Sequence, residues 1–546
     1  MIKYAAALGF LLLVTAAGTW AFLPSKYLPG NRARHMRLRL HLRLHPGKGF
    51  ATLAALHLRW GRIAALRRSR RIRPSLSLWA RALWPAEHSV YLGRAQLGHR
   101  LRVPLEEHVL VMAPPRTFKT AFLADVILRY PGPVLATTTK ADVFGLTAAA
   151  RAEVGPVHVF NPQGIGGVCS TFAWSPIAGC EDPATAIRRA DAFAHSVSQK
   201  GVEDASFWSA KASDYLRAYF HAAALAGCDL RIVAQWVSGK RSGEAEQILL
   251  DEGADDWAYT LAELSGEAQK TAATVRMVMS RTLSFMADPA LAAAVLPQAG
   301  AGFSIGEFLA DCGTLYMIAD AVSEDAPVAP LFACMAAEIH YQAALTGQAM
   351  PGGRLDPPLG LGLDEVTQLC PIPLPVWLSD SGGKGIQVIA IAHGEAQLAE
   401  RWGDHGRQVV LDTSSVKVFL PGITDTVTLE AASKLCGQAR WKVRGQQVGL
   451  PFWEWHDIAT PDMIRQLPAG RALVIRGACA PVIARLPRAW KNPAYLRARR
   501  NGLAPQLAPG GAEIADELPP IWRRPVVPDF VPDDFDGGGP ARPRWR

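Results

Sequence analysis

The chain has 546 residues, 49% of them apolar and 19% charged, with a formal net charge of +10. That apolar content excludes global disorder, the length allows two or three domains, and the charge favours a polyanionic partner or a membrane surface. None of the eight cysteines forms a C-x-x-C pair, which points to reduced, buried thiols rather than a disulfide framework or a zinc site.

Residues 4–25, within a predicted anchor over 1–25, carry no charge and are long enough to cross a bilayer. A cleaved signal peptide is the competing reading, but no small-x-small cleavage site follows and only Lys3 precedes. A single-pass anchor is therefore expected. The next segment contains Lys26, Arg32, Arg34, Arg37, Arg39 and Arg43, which places the N-terminus outside and the rest in the cytoplasm. Residues 26–104 read as a basic juxtamembrane segment, with no acidic residue before Glu87. Within it, 37–44 alternate like a strand and 59–73 read as a basic amphipathic helix. Lipid headgroups, nucleic-acid phosphate or solvent alone remain open as their neighbours.

Short apolar runs at 107–112, 133–140, 155–162, 313–320, 360–365, 385–393, 414–422 and 471–477 predict buried strands separated by helical spacing. This is an α/β pattern with a parallel sheet. Residues 182–300 are Ala-rich with apolar residues three and four apart, predicting an all-helical insertion between sheet segments 105–181 and 301–500. Residues 501–546 are rich in Pro, Gly and charge and predict a disordered tail. In the insertion, Lys200, Lys211, Lys240 and Arg241 are candidate phosphate contacts or simply solvated cations. Trp208, Tyr215 and Trp236 read as core more than as base-stacking platforms.

The chemistry concentrates at "APPRTFKT", residues 113–120, between a buried strand and a helix. A phosphate-binding loop reads G-x-x-x-x-G-K-[ST], with backbone amides cradling phosphate, lysine on the β/γ-phosphates and the hydroxyl on magnesium. Ala113, Pro114, Pro115, Arg116, Thr117, Phe118, Lys119 and Thr120 form the candidate loop, with Ala113 and Phe118 replacing its glycines. Glycine at the Phe118 position can adopt an unusual φ and places no side chain near phosphate; forcing Phe there would cost on the order of 1–3 kcal/mol. The second element is Asp364-Glu365 at the end of "LGLGLDE". The aspartate would hold magnesium and the glutamate would activate water. A purely structural loop and a solvated strand end are the competing readings.

These stretches resemble a family by pattern over residues 46–490. "APPRTFKT", "GPVLATTTKADV", "GPVHVFNPQG", "WSPIAGCEDPATAIRRA" and "LGLDEVTQLCPIPLPVWLSDSGGKGIQVIAIAHGEAQLAERWG" are similar to the motifs of type IV secretion coupling proteins. These are the TraG/TraD-type DNA-transfer ATPases of conjugation, here in the form found in actinobacteria. The resemblance implies a RecA-like P-loop NTPase domain, ATP and Mg2+ as cofactors, an inner-membrane anchor and a hexameric ring. It implies sequence-independent binding of single- or double-stranded DNA with its relaxase, or of a protein substrate, and contact with type IV secretion channel components. It also puts His393 where the family has a γ-phosphate-sensing glutamine, and makes Arg401 a candidate arginine finger acting in trans; a structural histidine and a salt-bridge arginine are the alternatives. Two functions follow: an active DNA-translocating ATPase, or a degenerate paralogue that scaffolds or recruits substrate, alone or in a mixed ring, without hydrolysis.

Overall fold

A computed structural model describes residues 49–95, 98–197, 205–296, 302–320, 327–443 and 452–502. The predicted anchor (1–25), the alternating stretch 37–44, Lys200 and the tail from 503 lie outside them. Among the described residues no helix is long and apolar enough to cross a membrane.

The strands in chain order are β1 (Ser89–Arg94), β2 (Arg100–Pro104), β3 (Val109–Met112), β4 (Val134–Thr138), β5 (Val157–Phe160), β6 (Thr314–Ile318), β7 (Leu359–Leu363), β8 (Ile386–Ala392), β9 (Val416–Phe419), β10 (Gln438–Val443), β11 (Phe452–Asp457), β12 (Arg471–Arg476) and β13 (Val482–Arg485). Eleven of them form one sheet in the order β2-β1-β13-β12-β9-β3-β8-β7-β4-β6-β5. The block from β9 to β5 is parallel. The block from β2 to β12 is antiparallel. The sheet is thus mixed, and β1, β2 and β13 join it although the strand pattern was expected only from 107 to 477. The stretch 89–104 therefore belongs to the α/β body and not to the basic segment. Its mixed polar and apolar alternation, with Gly93 at φ 133° breaking the register, hid the hairpin.

The helices used below are α1 (Arg62–Ile72), α2 (Lys119–Arg129), α3 (Asp142–Arg151), α4 (Pro183–Ser196), α5 (Ala205–Leu225), α6 (Ala329–Gln348), α7 (Glu395–Thr413) and α8 (Pro493–Arg500). The expected basic helix is α1, with Arg67, Arg68, Arg70 and Arg71 exposed and Ala65, Ser69 and Ile72 buried. Between β5 and β6 the described chain is helical apart from turns. Asp182, Asp229 and Asp288 cap three of those helices by accepting from their first free amides. Tyr215 and Trp236 are buried there, 1% and 3% exposed, as core residues. The antiparallel hairpin of β10 and β11, in register from Gln438↔Asp457 to Val443↔Phe452, belongs to a separate unit.

The central strands β3, β4, β6, β7 and β8 are buried at every position, as a sheet covered on both faces requires. Two glycines set how closely α2 approaches β7. A Cβ at Gly360 would lie 2.7–2.9 Å from three ring atoms of Tyr130, and one at Gly362 would lie 2.9 Å from Leu123 Cδ1. The bare strand face lets Leu123, inside α2, and Tyr130, just past its end, rest on the β7 backbone. That seating carries the N-terminus of α2 toward the end of β7. Arg151, 0% exposed, ties the far end: it donates to Tyr130 O (2.6 Å), Gly132 O (2.8 Å) and Thr314 Oγ1 (2.7 Å).

The two glycines differ in what they meet: a rigid buried ring at Gly360, the tip of a flexible leucine at Gly362. Gly360→Ala is expected to destabilise the protein by about 1–3 kcal/mol and Gly362→Ala by less, measured by urea unfolding. Equal effects would show that the glycines do not set the helix–strand spacing.

Candidate functional site

The site forms at the C-terminal edge of the parallel strands. β3 feeds the loop 113–118 into α2, β7 ends in Asp364 and Glu365, and β8, which lies between them, ends just before His393. The strand after β3 in the chain goes to one side of it and β9 lies on the other, so the loop sits at a reversal of strand order, where open α/β sheets bind ligands.

Lys119 begins α2 and reaches across the strand tips. Its Nζ hydrogen-bonds Glu365 Oε1 and lies 3.3 Å from Asp364 Oδ1. The carboxylates come from a strand end held by Thr137 Oγ1, which donates to Asp364 O at 3.0 Å. Glu365 then turns sharply: its φ is 51°, and the next amide, Val366 N, returns to Ile391 O of β8 at 3.2 Å. A left-handed glutamate costs roughly 1–2 kcal/mol of backbone strain. The turn aims its carboxylate at both Lys119 and His393. His393 Nε2 stands 3.0 Å from Glu365 Oε2, and its Nδ1 contacts Ala113 O at 2.9 Å. One imidazole ring thus bridges the loop carbonyl and the carboxylate.

The side chains of Asp364 and Glu365 are 4% and 10% exposed. Burial works against the Lys119 charge, but the two carboxylates outweigh it and hold its pKa above the usual value. Asp364 is pushed up by its deep burial, which Lys119 offsets only in part. Burial also opposes ionisation of Glu365, yet the bond from His393 and the charge of Lys119 bring its pKa below the usual value. The bond to Glu365 raises the His393 pKa against the effect of burial. Asp364 Oδ1 and Glu365 Oε2 are both buried, and their near neighbours are Lys119 Nζ at 3.3 Å and His393 Nε2 at 3.0 Å respectively.

The loop itself departs from the expectation set by its missing glycines. Phe118 has φ −70° and ψ 16°, values open to any residue. Its ring lies over Gly470, with Cζ 3.5 Å from where a Cβ there would be, and 6.3 Å from the ring of Trp490. It packs against the core on the β12 side and leaves the hollow beside Lys119 clear. Ala113 is fully buried, and its N donates to Ala392 O at 2.9 Å. The positive φ of the loop falls on exposed Arg116, at 60°, and Thr117 Oγ1 braces the turn on Pro114 O at 2.7 Å. Pro115 is exposed, while Thr120, in the first turn of α2, is half-buried. The amides of Lys119, Thr120 and Ala121 begin a helix and so lack an intrahelical acceptor; with the helix dipole they favour an anion.

Arg401 stands elsewhere. Its Nη2 donates to His195 O of α4 at 2.7 Å, holding it to the helical insertion and away from the Lys119 cluster. Lys211 pairs with Glu267 at 2.7 Å and Arg241 pairs with Glu244, while Lys240 is exposed.

Two measurements follow from this geometry. Phe118→Gly is expected to lower stability by about 2 kcal/mol in urea unfolding, because it strips a packed ring and relieves no strain. The His393–Glu365 contact has a pH window. The raised His393 pKa contributes stability that is full below 6.5 and fades as pH rises through the folded value. The lowered Glu365 pKa contributes above 4.5 and fades as pH falls through its folded value. Destabilisation by His393→Ala is therefore expected to be at least about twice as large near pH 5.5 as near pH 9. A flat profile would refute the ion pair.

Residues 358–452, which include Asp364, Glu365 and His393, match the family model described as the TraM recognition site of TraD and TraG. The fold is similar to the bacterial conjugative coupling protein TrwBdeltaN70 in an unbound form, at TM-score 0.52 and 18% identity, covering 72% of this chain and 89% of that one. It is equally similar to TrwB in complex with ADP and Mg2+, at TM-score 0.52, 20% identity and the same coverage. TrwB with the GTP analogue GDPNP gives 0.51 and 18%, covering 72% and 90%. A comparison with curated proteins gave no match. The matched segment carries the acidic half of the site, and the fold that holds the rest is shared with the TrwB structures.

Proposed function

We propose that this chain is a membrane-anchored coupling ATPase, which brings DNA with its relaxase, or a protein substrate, to a type IV secretion or conjugation channel. The observation that carries the reading is the meeting of Lys119 with Asp364 and Glu365 beside the free first turn of α2. The residues fit ATP with Mg2+. Lys119 and the amides of Lys119, Thr120 and Ala121 suit phosphate oxygens. The Thr120 hydroxyl and the buried Asp364 carboxylate suit a magnesium ion. That ion would neutralise charge on the phosphates. TrwB complexes with ADP and Mg2+ and with GDPNP support the assignment.

The chain's own groups divide the work as follows. Lys119 exchanges its carboxylates for phosphate, a competition between anions for one ammonium. Glu365, kept ionised and aimed by its left-handed backbone, accepts a proton at Oε2 from a water. His393 fixes that carboxylate while its other nitrogen holds the loop carbonyl of Ala113. In a hexamer or mixed ring, α1 and the basic residues before it would face anionic lipid, and segment 358–452 would offer an accessory protein its docking surface. Arg401 would act in trans only after leaving His195. The scaffold alternative rested on Ala113, Phe118 and His393; of these Phe118 keeps an ordinary φ and lies over Gly470.

The test is ATP turnover by the full chain in detergent or nanodiscs, with and without single-stranded DNA. Lys119→Ala is expected to lower turnover by about 100-fold or more, and Glu365→Gln to do so while ATP binding persists. Turnover unchanged in both variants would overturn the assignment.

A further inference from the structure

A second candidate site lies away from Lys119. A cavity of about 640 Å³ is lined by α4, α6, the loop 371–373, Trp377 and the first turns of α7. Ligand sites typically span about 300–1,000 Å³. Its walls carry four permanent cations, Arg188, Arg189, Lys384 and Arg401, against two carboxylates, Asp191 and Glu338. The imidazole of His340, pushed down to about 4 by burial, adds no charge.

Three of these groups are built in but unfinished. The side chains of Arg189 and Glu338 are 9% and 4% exposed. Arg188 Nη2 and Arg189 Nε each lie 3.6 Å from Glu338 Oε2, too far for a hydrogen bond. Arg188 Nε, Arg189 Nε and Glu338 Oε2 are buried and make no hydrogen bond among the described residues. Buried guanidinium and carboxylate groups are costly in that state, so the cavity calls for a ligand with carboxylates and N–H donors together. The remaining walls are aromatic. Arg188 lies 3.6 Å over the Tyr341 ring, His340 stacks on Trp377 at 4.0 Å, and Trp402 is fixed by its Nε1 donating to Ile372 O at 3.1 Å.

The tail of this chain holds a sequence of that chemistry. Residues 528–536 read "PDFVPDDFD": four aspartates, two phenylalanines and two prolines, with no Lys or Arg from 525 to 541. We infer that the cavity binds this stretch of the chain's own tail. The aspartates complete the arginines through charge-assisted hydrogen bonds. The phenylalanines meet Tyr341, Trp377 and Trp402. Backbone N–H groups reach Glu338 Oε2. The 25 residues between Gly502 and Pro528 span up to about 80 Å when extended. Tethering at that length raises the effective concentration to the millimolar range, so a weak intrinsic affinity suffices. The inference is independent of nucleotide turnover.

The experiment places the photocrosslinker p-benzoylphenylalanine at position 535 of the full chain and maps adducts by mass spectrometry. Adducts are expected at Tyr341, Trp377, Trp402 and their neighbours, within one chain or between copies. Their yield is expected to fall about tenfold or more in Asp533→Lys/Asp534→Lys. Adducts confined to other surfaces, or a yield indifferent to the charge reversal, would overturn the proposal. A labelled peptide of residues 525–538, titrated into the full chain carrying the reversed tail, gives a second reading. Saturable binding weakened by Arg188→Glu is expected, and absence of saturable binding would also overturn it.

Discussion

Lys119 held between Asp364 and Glu365 is the contact on which the rest of the site depends. The lysine and Glu365 are 246 residues apart in sequence, and both lie in surroundings that disfavour charge. Burying such groups is tolerable only as a set. The set exists because α2 rests directly on the β7 backbone, where Gly360 and Gly362 leave room for Tyr130 and Leu123. Two absent side chains therefore position a cation at one strand tip over two anions at another, with β8 between them as spacer.

Strain in the site is distributed differently from the family pattern. The loop needs one left-handed residue, and solvent-exposed Arg116 supplies it at little steric cost to its surroundings. Phe118, with an ordinary φ, becomes a packing residue that anchors the loop to the β12 side of the sheet. The costly backbone conformation is moved to Glu365, whose φ of 51° directs its carboxylate. There the strain is offset by three attachments: Lys119, His393 and the Val366 bond to β8.

Outside the site, cations are managed by pairing more than by exposure. Arg476 is buried against Glu107, with Nε and Nη2 bonds of 2.6 and 2.7 Å, and Arg73 joins Glu87 and Asp356. The surplus positive charge is left on α1 and in the cavity beside α4.

The sequence by itself determined the order of the elements. Eight predicted strands were recovered within a few residues, because runs such as "VLVM" and "IQVIAIA" can only be satisfied inside a sheet covered on both faces. It also named the chemically important residues, since Lys119-Thr120 and Asp364-Glu365 stand at strand ends next to recognisable punctuation. It missed the hairpin of β1 and β2 and strand β13, whose mixed polarity suits an antiparallel edge and gives a weak periodic signal. What only the tertiary structure decided was direction: which way the Phe118 ring turns, that Arg401 faces α4, and that His393 bridges Ala113 to Glu365. Those outcomes depend on side chains contributed by distant segments, and local spacing carries no information about the neighbour a side chain will meet.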